Sequence, residues 1–239
     1  MIKDILRKIL IFLHVDLTKN LQYDRLTKAI MKKTIQKTHN CIDIGCHKGE
    51  ILDVILTCSP EGKHYAFEPI PYLFAELEKK YKHKASIFPY ALSENGGFST
   101  FQLVKNAPAY SGLKQRRYDI SNPEIEEIEV EIKTLDELIP WDEEIHFIKI
   151  DVEGGEFGVL KGAKKLLTKN KPTILFECGK GASDYYGTDP LELYDFIADE
   201  VGLKIHTLKS YIKGNLPLTK IEFEKCFNTN AEYYFVAAQ

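Results

Sequence analysis

CIDIGCHKGE, residues Cys41 to Glu50, reads as a buried strand that runs into a glycine-punctuated turn and then into an apolar helix beginning near Ile51. Such a passage opens a doubly wound α/β sheet, where ligands bind beyond the carboxyl ends of the strands at the point where strand order reverses. Gly45 and Gly49 would let the backbone approach a ligand without a Cβ in the way. Cys46 and His47 lie between them in the same turn, and Asp43 at the strand end can orient the turn or meet a ligand's ammonium group. Taken alone, Asp-x-Gly-x-x-x-Gly is also what a plain turn would use.

Outward from this unit, short apolar runs alternate with helical patterns, which implies a parallel sheet. Strands are predicted near 41–45, 63–68, 85–90, 145–151, 172–178, 203–208 and 232–237, and helices near 49–58, 71–82, 154–168 and 190–201. The chain divides into an N-terminal helical extension, 1–37, and one domain, 38–239. Near 94–133 the rhythm breaks, with glycines and prolines standing between two alternating runs, FSTFQL and IEVEIKTL. This reads as an inserted hairpin and a long loop, either a binding loop or lid or a plain surface excursion.

Composition narrows the function classes. With 44% hydrophobic and 28% charged residues, the 239-residue chain can bury a sizeable core. A net charge of −3 gives no global basic field for a phosphate backbone, so nucleic acid is not expected as a partner. Five scattered cysteines without a CxxC pair fit a reducing cytoplasm better than a disulfide framework. At the N-terminus Ile2, Ile5, Leu6, Ile9, Leu10 and Leu13 recur at helical spacing among Lys3, Asp4, Arg7 and Lys8. This amphipathic helix is too short and too charged to span a bilayer, and is expected to pack on the domain, on a second subunit or on a membrane surface.

A second block strengthens the ligand reading. KHYAFEP, Lys63 to Pro69, is a strand ending in Glu68, 23 positions after Gly45, close to the ~20-residue spacing at which an acid meets a ribose in nucleotide sites. The alternative is a Glu that caps the helix following Pro69. A nicotinamide cofactor needs the same acid, but its pyrophosphate needs G-x-G-x-x-G, and the position two after Gly45 is His47. The third strand, SIFPYALSE, ends near Tyr90 and the small Ala91, positions suited to border an adenine ring.

FIKIDVEGGEFGVLKGA, Phe147 to Ala163, resembles the FkbM family of methyltransferases, whose pattern is a strand ending in I-K-I-D-x-E-G followed by an acid and L-x-G-A. DIGCHKGE, FEPIP, YALSENGG, VEIKTLDEL and ILFEC match further family blocks in order, so the similarity spans roughly Cys41 to Cys178. The resemblance implies a Rossmann-like class I methyltransferase fold with a mostly parallel seven-stranded sheet and helices on both faces. It also implies O-methylation of a carbohydrate or small-molecule hydroxyl using S-adenosylmethionine. The competing functions are an NAD(P)-dependent oxidoreductase on a similar sheet and a non-catalytic binding module that keeps the fold.

On that reading Asp151 lies where the fourth strand delivers a side chain to the catalytic rim, with Glu153 and Glu177 as partners. A hydroxyl acceptor needs a base or a divalent cation that lowers its pKa. The metal-free version is preferred, although carboxylates converging from adjacent strand ends also suit Mg²⁺. Carboxylates before a helix can equally serve as caps, and Glu156 is better explained as a first-turn helix acid. His47 and His146 are alternative bases, and Tyr110 and Ser111 are candidates to close over the acceptor. The loop at 94–133 and the segment 179–189 are expected to contact it.

Overall fold

The computed structural model describes residues 19–239; the amphipathic stretch expected at 2–13 lies outside them. Seven strands form the main sheet: β1 (Cys41–Ile44), β2 (His64–Phe67), β3 (Ser86–Phe88), β7 (Phe147–Ile150), β8 (Thr173–Glu177), β9 (Lys204–Thr207) and β10 (Tyr234–Ala238). Their order is β3-β2-β1-β7-β8-β10-β9. The pairs from β3 through β8 are parallel, whereas β10 runs antiparallel to both β8 and β9. Order reverses between β1 and β7, so the turn after β1 and the turn after β7 lie side by side.

β1 and β7 are buried at every position because helices cover both faces of the sheet. Successive side chains go to opposite cores. Ile42, Ile44, Ile148, Ile150, Ile174, Phe176 and Phe235 pack on one side, while Cys41, Ala66, Phe147, Leu175 and Val236 pack on the other. The helix Lys19–Thr34 lays Tyr23, Leu26, Ile30 and Met31 on the second core, a stripe at helical spacing. Among the described residues, no helix is long and apolar enough to cross a membrane.

The expected helix at 154–168 is two helices, Glu156–Lys161 and Lys164–Asn170. A Cβ at Gly162 would stand 2.1 Å from the Ser93 carbonyl oxygen, so the chain there packs directly on another backbone. Asp136 then receives the Lys165 and Leu166 amides at 2.9 and 2.8 Å, capping the second helix from outside. Helices Leu208–Lys213 and Lys220–Thr229 lie in the connection before β10, where no helix was expected.

The 94–133 region carries β5 (Gly97–Val104) and β6 (Ile125–Lys133), paired antiparallel along their full length, and the short β4 (Ala91–Leu92) joins β6. Phe101, Leu103 and Val130 from this hairpin bury against Ile70, Leu73 and Ala91. The connecting loop folds back through a bridge between Gln102 and Gly112.

Candidate active site

The turn after β1 is fixed by the strand beside it. The amides of Gly45 and Cys46 both donate to the Phe67 carbonyl, at 3.0 and 3.1 Å. Glu68, which ends β2, accepts from the His47 amide through Oε2 at 2.8 Å and from the Ile70 amide through Oε1 at 3.0 Å. Burial raises its carboxyl to about 7, although both amide hydrogen bonds favour the ionised form. Each oxygen keeps acceptor capacity toward a ligand. One carboxylate therefore both holds the Ile70 amide ahead of the next helix and pins the glycine turn.

The two glycines answer to protein neighbours. Gly45 has φ +74°, and a Cβ there would lie 1.9 Å from the Asp151 carbonyl oxygen. Gly49 has φ +76°, and its Cβ would lie 2.3 Å from the Tyr81 hydroxyl, which also approaches the Gly49 carbonyl at 2.7 Å. Cys46 points into the core, where burial pushes its thiol pKa up.

Beyond β7 the charged residues converge. Lys149, 6% exposed, is the register partner of Asp43 and donates to Asp151 Oδ2 at 2.5 Å. The Tyr234 hydroxyl, from the start of β10, donates to the same oxygen at 2.7 Å. Burial would raise the Asp151 pKa, but the Lys149 charge and these two hydrogen bonds hold it below the ordinary carboxylate value. Asp43 is fully buried and neither oxygen has a hydrogen-bond partner among the described residues; desolvation raises it to about 6, with Lys149 opposing. Glu177, half-buried at the end of β8, is raised to about 8 by burial and by the Asp151 and Glu156 charges. Removing the Tyr234 hydroxyl in Tyr234→Phe is expected to cost about 1.5–3 kcal/mol, read from urea denaturation at neutral pH; an unchanged midpoint would contradict this placement.

Glu153 and Glu156 separate into different tasks. Glu156 is 1% exposed and its Oε1 accepts from the Val152 and Gly154 amides at 2.9 and 3.2 Å. It is a helix-start acid that also shapes the turn. Glu153, at φ +60°, pairs with Arg116 from the inserted loop. The Arg116 guanidinium sits 4.9 Å from the Tyr110 ring centroid.

Between the two turns opens a surface cleft that encloses about 590 Å³ when its solvent-open space is counted. Gly45, His47 and Glu68 line it from the turns after β1 and β2, and Asp151 and Glu153 from the turn after β7. Tyr90, Ala91, Leu92 and Phe101 give an apolar wall, and Pro108, Ser111 and Leu113 from the insert cover it. Of the residues singled out from sequence, Gly45, His47, Glu68, Tyr90, Ala91, Asp151 and Glu153 line this cleft; Asp43, Cys46, Gly49 and Glu177 do not. Ser111 spends its hydroxyl on the Val104 amide at 2.9 Å. His146 stacks on His39, with ring centroids 4.1 Å apart, and accepts from the Asn40 amide before β1, at the opposite end of the strands. Sequence reasoning missed Tyr234, Arg116 and the central place of Lys149. Among the described residues, no group of three or more His, Cys, Asp or Glu is arranged to hold a metal ion.

The family model described as the methyltransferase FkbM domain matches residues 43–204, more than half of the chain. The FkbM methyltransferase of Methylobacillus flagellatus KT superposes with a TM-score of 0.52 at 14% identity, covering 92% of this chain and 52% of that one. The chain thus spans about half the length of that relative. An rRNA methylase from Streptococcus thermophilus gives a TM-score of 0.46 at 10% identity, over 89% of this chain and 92% of that one. A fibrillarin/Nop5p complex gives 0.45 at 14% identity, over 90% of this chain and 79% of that one. No protein of curated function matches. The chain belongs to the FkbM methyltransferase family and carries the class I S-adenosylmethionine methyltransferase fold.

Proposed function

We propose that the chain transfers the methyl group of S-adenosylmethionine to a hydroxyl of a sugar, glycan or small metabolite. The observation that carries this reading is the single cleft running from Glu68 and the glycine turn to Asp151 beneath the inserted loop. Its wall chemistry fits the cofactor in three places. Glu68 offers two carboxylate oxygens for ribose hydroxyls, Tyr90 and Ala91 offer an apolar edge for a base, and the ionised Asp151 carboxylate favours a ligand with a cationic sulfonium and ammonium. When bound, the cofactor supplies a methyl group on a sulfonium, whose leaving group is a neutral thioether.

The chain's own residues then do the rest. Lys149 and Tyr234 both hold Asp151 Oδ2, so the carboxylate is kept ionised and in one orientation, with Oδ1 free of protein hydrogen bonds among the described residues. Asp151 accepts a hydrogen bond from the acceptor hydroxyl and takes its proton as the new C–O bond forms. A carboxylate whose pKa is lowered is a weaker base, so orientation supplies much of the acceleration, up to the ~7–11 kcal/mol available to well-placed reactants. Glu177, raised to about 8, is held largely protonated at neutral pH and so adds little negative charge beside Asp151. The apolar wall and the inserted loop keep water away from the reacting methyl.

The test is transfer of labelled methyl from S-adenosylmethionine into fractions of a cell extract, read by mass spectrometry. Label on a hydroxyl of a carbohydrate or small metabolite is the expected outcome. Label confined to protein or nucleic acid, or none at all, contradicts the proposal.

A further inference from the structure

The inserted loop contributes a group of donors to the outer edge of the cleft that methyl transfer itself does not use. Residues 114–117 read KQRR, directly after Leu113 on the cleft wall. The loop is pinned to the opposite segment: the Lys114 amide donates to the Tyr186 hydroxyl at 3.0 Å, and the Arg117 amide donates to the Gly181 carbonyl at 3.3 Å. The Arg117 guanidinium lies over Gly181, where a Cβ would stand 3.2 Å from it, and Lys180 is the exposed neighbour. Two walls from distant parts of the chain thus meet, bringing the Arg117 guanidinium and the exposed Lys114, whose ammonium lies 5.4 Å from the Tyr186 ring centroid, beside the backbone of Lys180 and Gly181.

Just inside this rim, two buried donors lack partners. Arg116 Nε and the Tyr118 hydroxyl are both buried without a hydrogen bond among the described residues. Both side chains pack on Tyr110, at 4.9 Å from its centroid for the guanidinium and 6.4 Å between ring centroids for Tyr118. Leaving such donors unpaired costs about 1–3 kcal/mol each, and what would satisfy both is an acceptor-rich group. The acids nearby are already engaged: Glu153 by Arg116, Asp184 by the Gly181 amide at 2.6 Å, and Asp119 by Arg117 Nε at 3.3 Å. The Arg117–Asp119 pair is solvent-exposed and worth little.

We propose that the rim formed by Lys114, Arg116, Arg117, Tyr118 and Lys180 binds an oxyanion of the acceptor, so that the molecule methylated carries a carboxylate or phosphate group. This rests on the methyltransferase reading of the adjoining cleft. Arginine suits both anions through paired N–H donors, and lysine adds unspecific positive charge. The anionic end would lie at the rim and the hydroxyl toward Asp151.

The experiment is calorimetric titration of glucuronate, glucose 6-phosphate and glucose into the protein with SAH present, repeated on the double variant Lys114→Ala/Arg117→Ala. At least one anionic sugar is expected to bind about tenfold or more tightly than glucose, as one to two charge-assisted hydrogen bonds provide, and the double variant is expected to lose that preference. Whichever anion binds more tightly identifies the group as carboxylate or phosphate. Equal binding of all three, no binding of any, or an unchanged preference in the double variant overturns the proposal. SAH affinity, measured alongside, should match between protein and variant within about twofold; failure of SAH to bind the unmodified protein would instead count against the methyltransferase reading.

Discussion

Lys149→Ala is expected to destabilise the protein by about 3–5 kcal/mol at pH 7, the usual cost of stripping one partner from a buried ion pair. Lys149 is the cation shared by Asp43 and Asp151, and its charge also reaches Glu177. The pH dependence carries the sign of the effect. Asp151 has a depressed pKa in the folded protein, so its contribution is present above the unfolded value and lost as pH falls through the folded one. The variant removes that contribution, and its Asp43 and Glu177, already raised to about 6 and about 8, would rise further. Its deficit should therefore be largest at pH 7–8 and shrink toward pH 5 as these carboxyls take up protons. Urea denaturation of both proteins across this range checks it. A small, pH-independent loss would mean that Lys149 does not neutralise the cluster.

Gly45→Ala is expected to cost about 3 kcal/mol or more, since overpacking and a strained backbone each contribute roughly 1–3 kcal/mol. The added methyl would fall 1.9 Å from the Asp151 carbonyl, which belongs to the backbone and cannot step aside, and the residue would sit at φ +74°. Gly45 is therefore where the turn after β1 packs onto the turn after β7, and its loss should disturb fold and site together. Thermal unfolding checks this, with a near-unchanged midpoint as the contrary result. The consequence for testing the site is practical: a change at Gly45 reports on folding, whereas a change at Glu68 reports on the ligand only when its unfolding midpoint shows the turn intact, because both its oxygens hold backbone amides.

This distinction also shows what the sequence could convey. The strands of the main sheet were legible because those nearest its centre are near-continuous apolar runs, as burial on both faces demands. The split at Gly162 was not, because helical periodicity runs through it and the cause is the distant Ser93 carbonyl. Helix Lys220–Thr229 did carry a local signal, the capping box of Thr219 and Glu222. That Glu68 and Asp151 line the cleft was readable because each directly follows a parallel strand at its carboxyl end. Tyr234 reaches Asp151 only because β10 runs antiparallel, which brings its first residue to that edge. Arg116 reaches Glu153 only through the path of a 20-residue loop, residues 105–124, between β5 and β6. Neither direction nor loop path is encoded in local residue patterns.

The central claim is that this cleft takes the cofactor through Glu68, and calorimetric titration of SAH tests it most directly. The unmodified protein should bind SAH at one site per chain, more tightly as pH rises through about 7, where Glu68 ionises and becomes the better acceptor for ribose hydroxyls. Glu68→Gln, which keeps the size and removes the charge but whose Nε2 cannot accept the His47 or Ile70 amide, should bind about tenfold or more weakly, the loss of charge-assisted hydrogen bonds, and without that pH dependence. Its unfolding midpoint, measured alongside, separates ligand from turn. No binding by the unmodified protein, or equal binding by the Gln variant at every pH, would contradict the account.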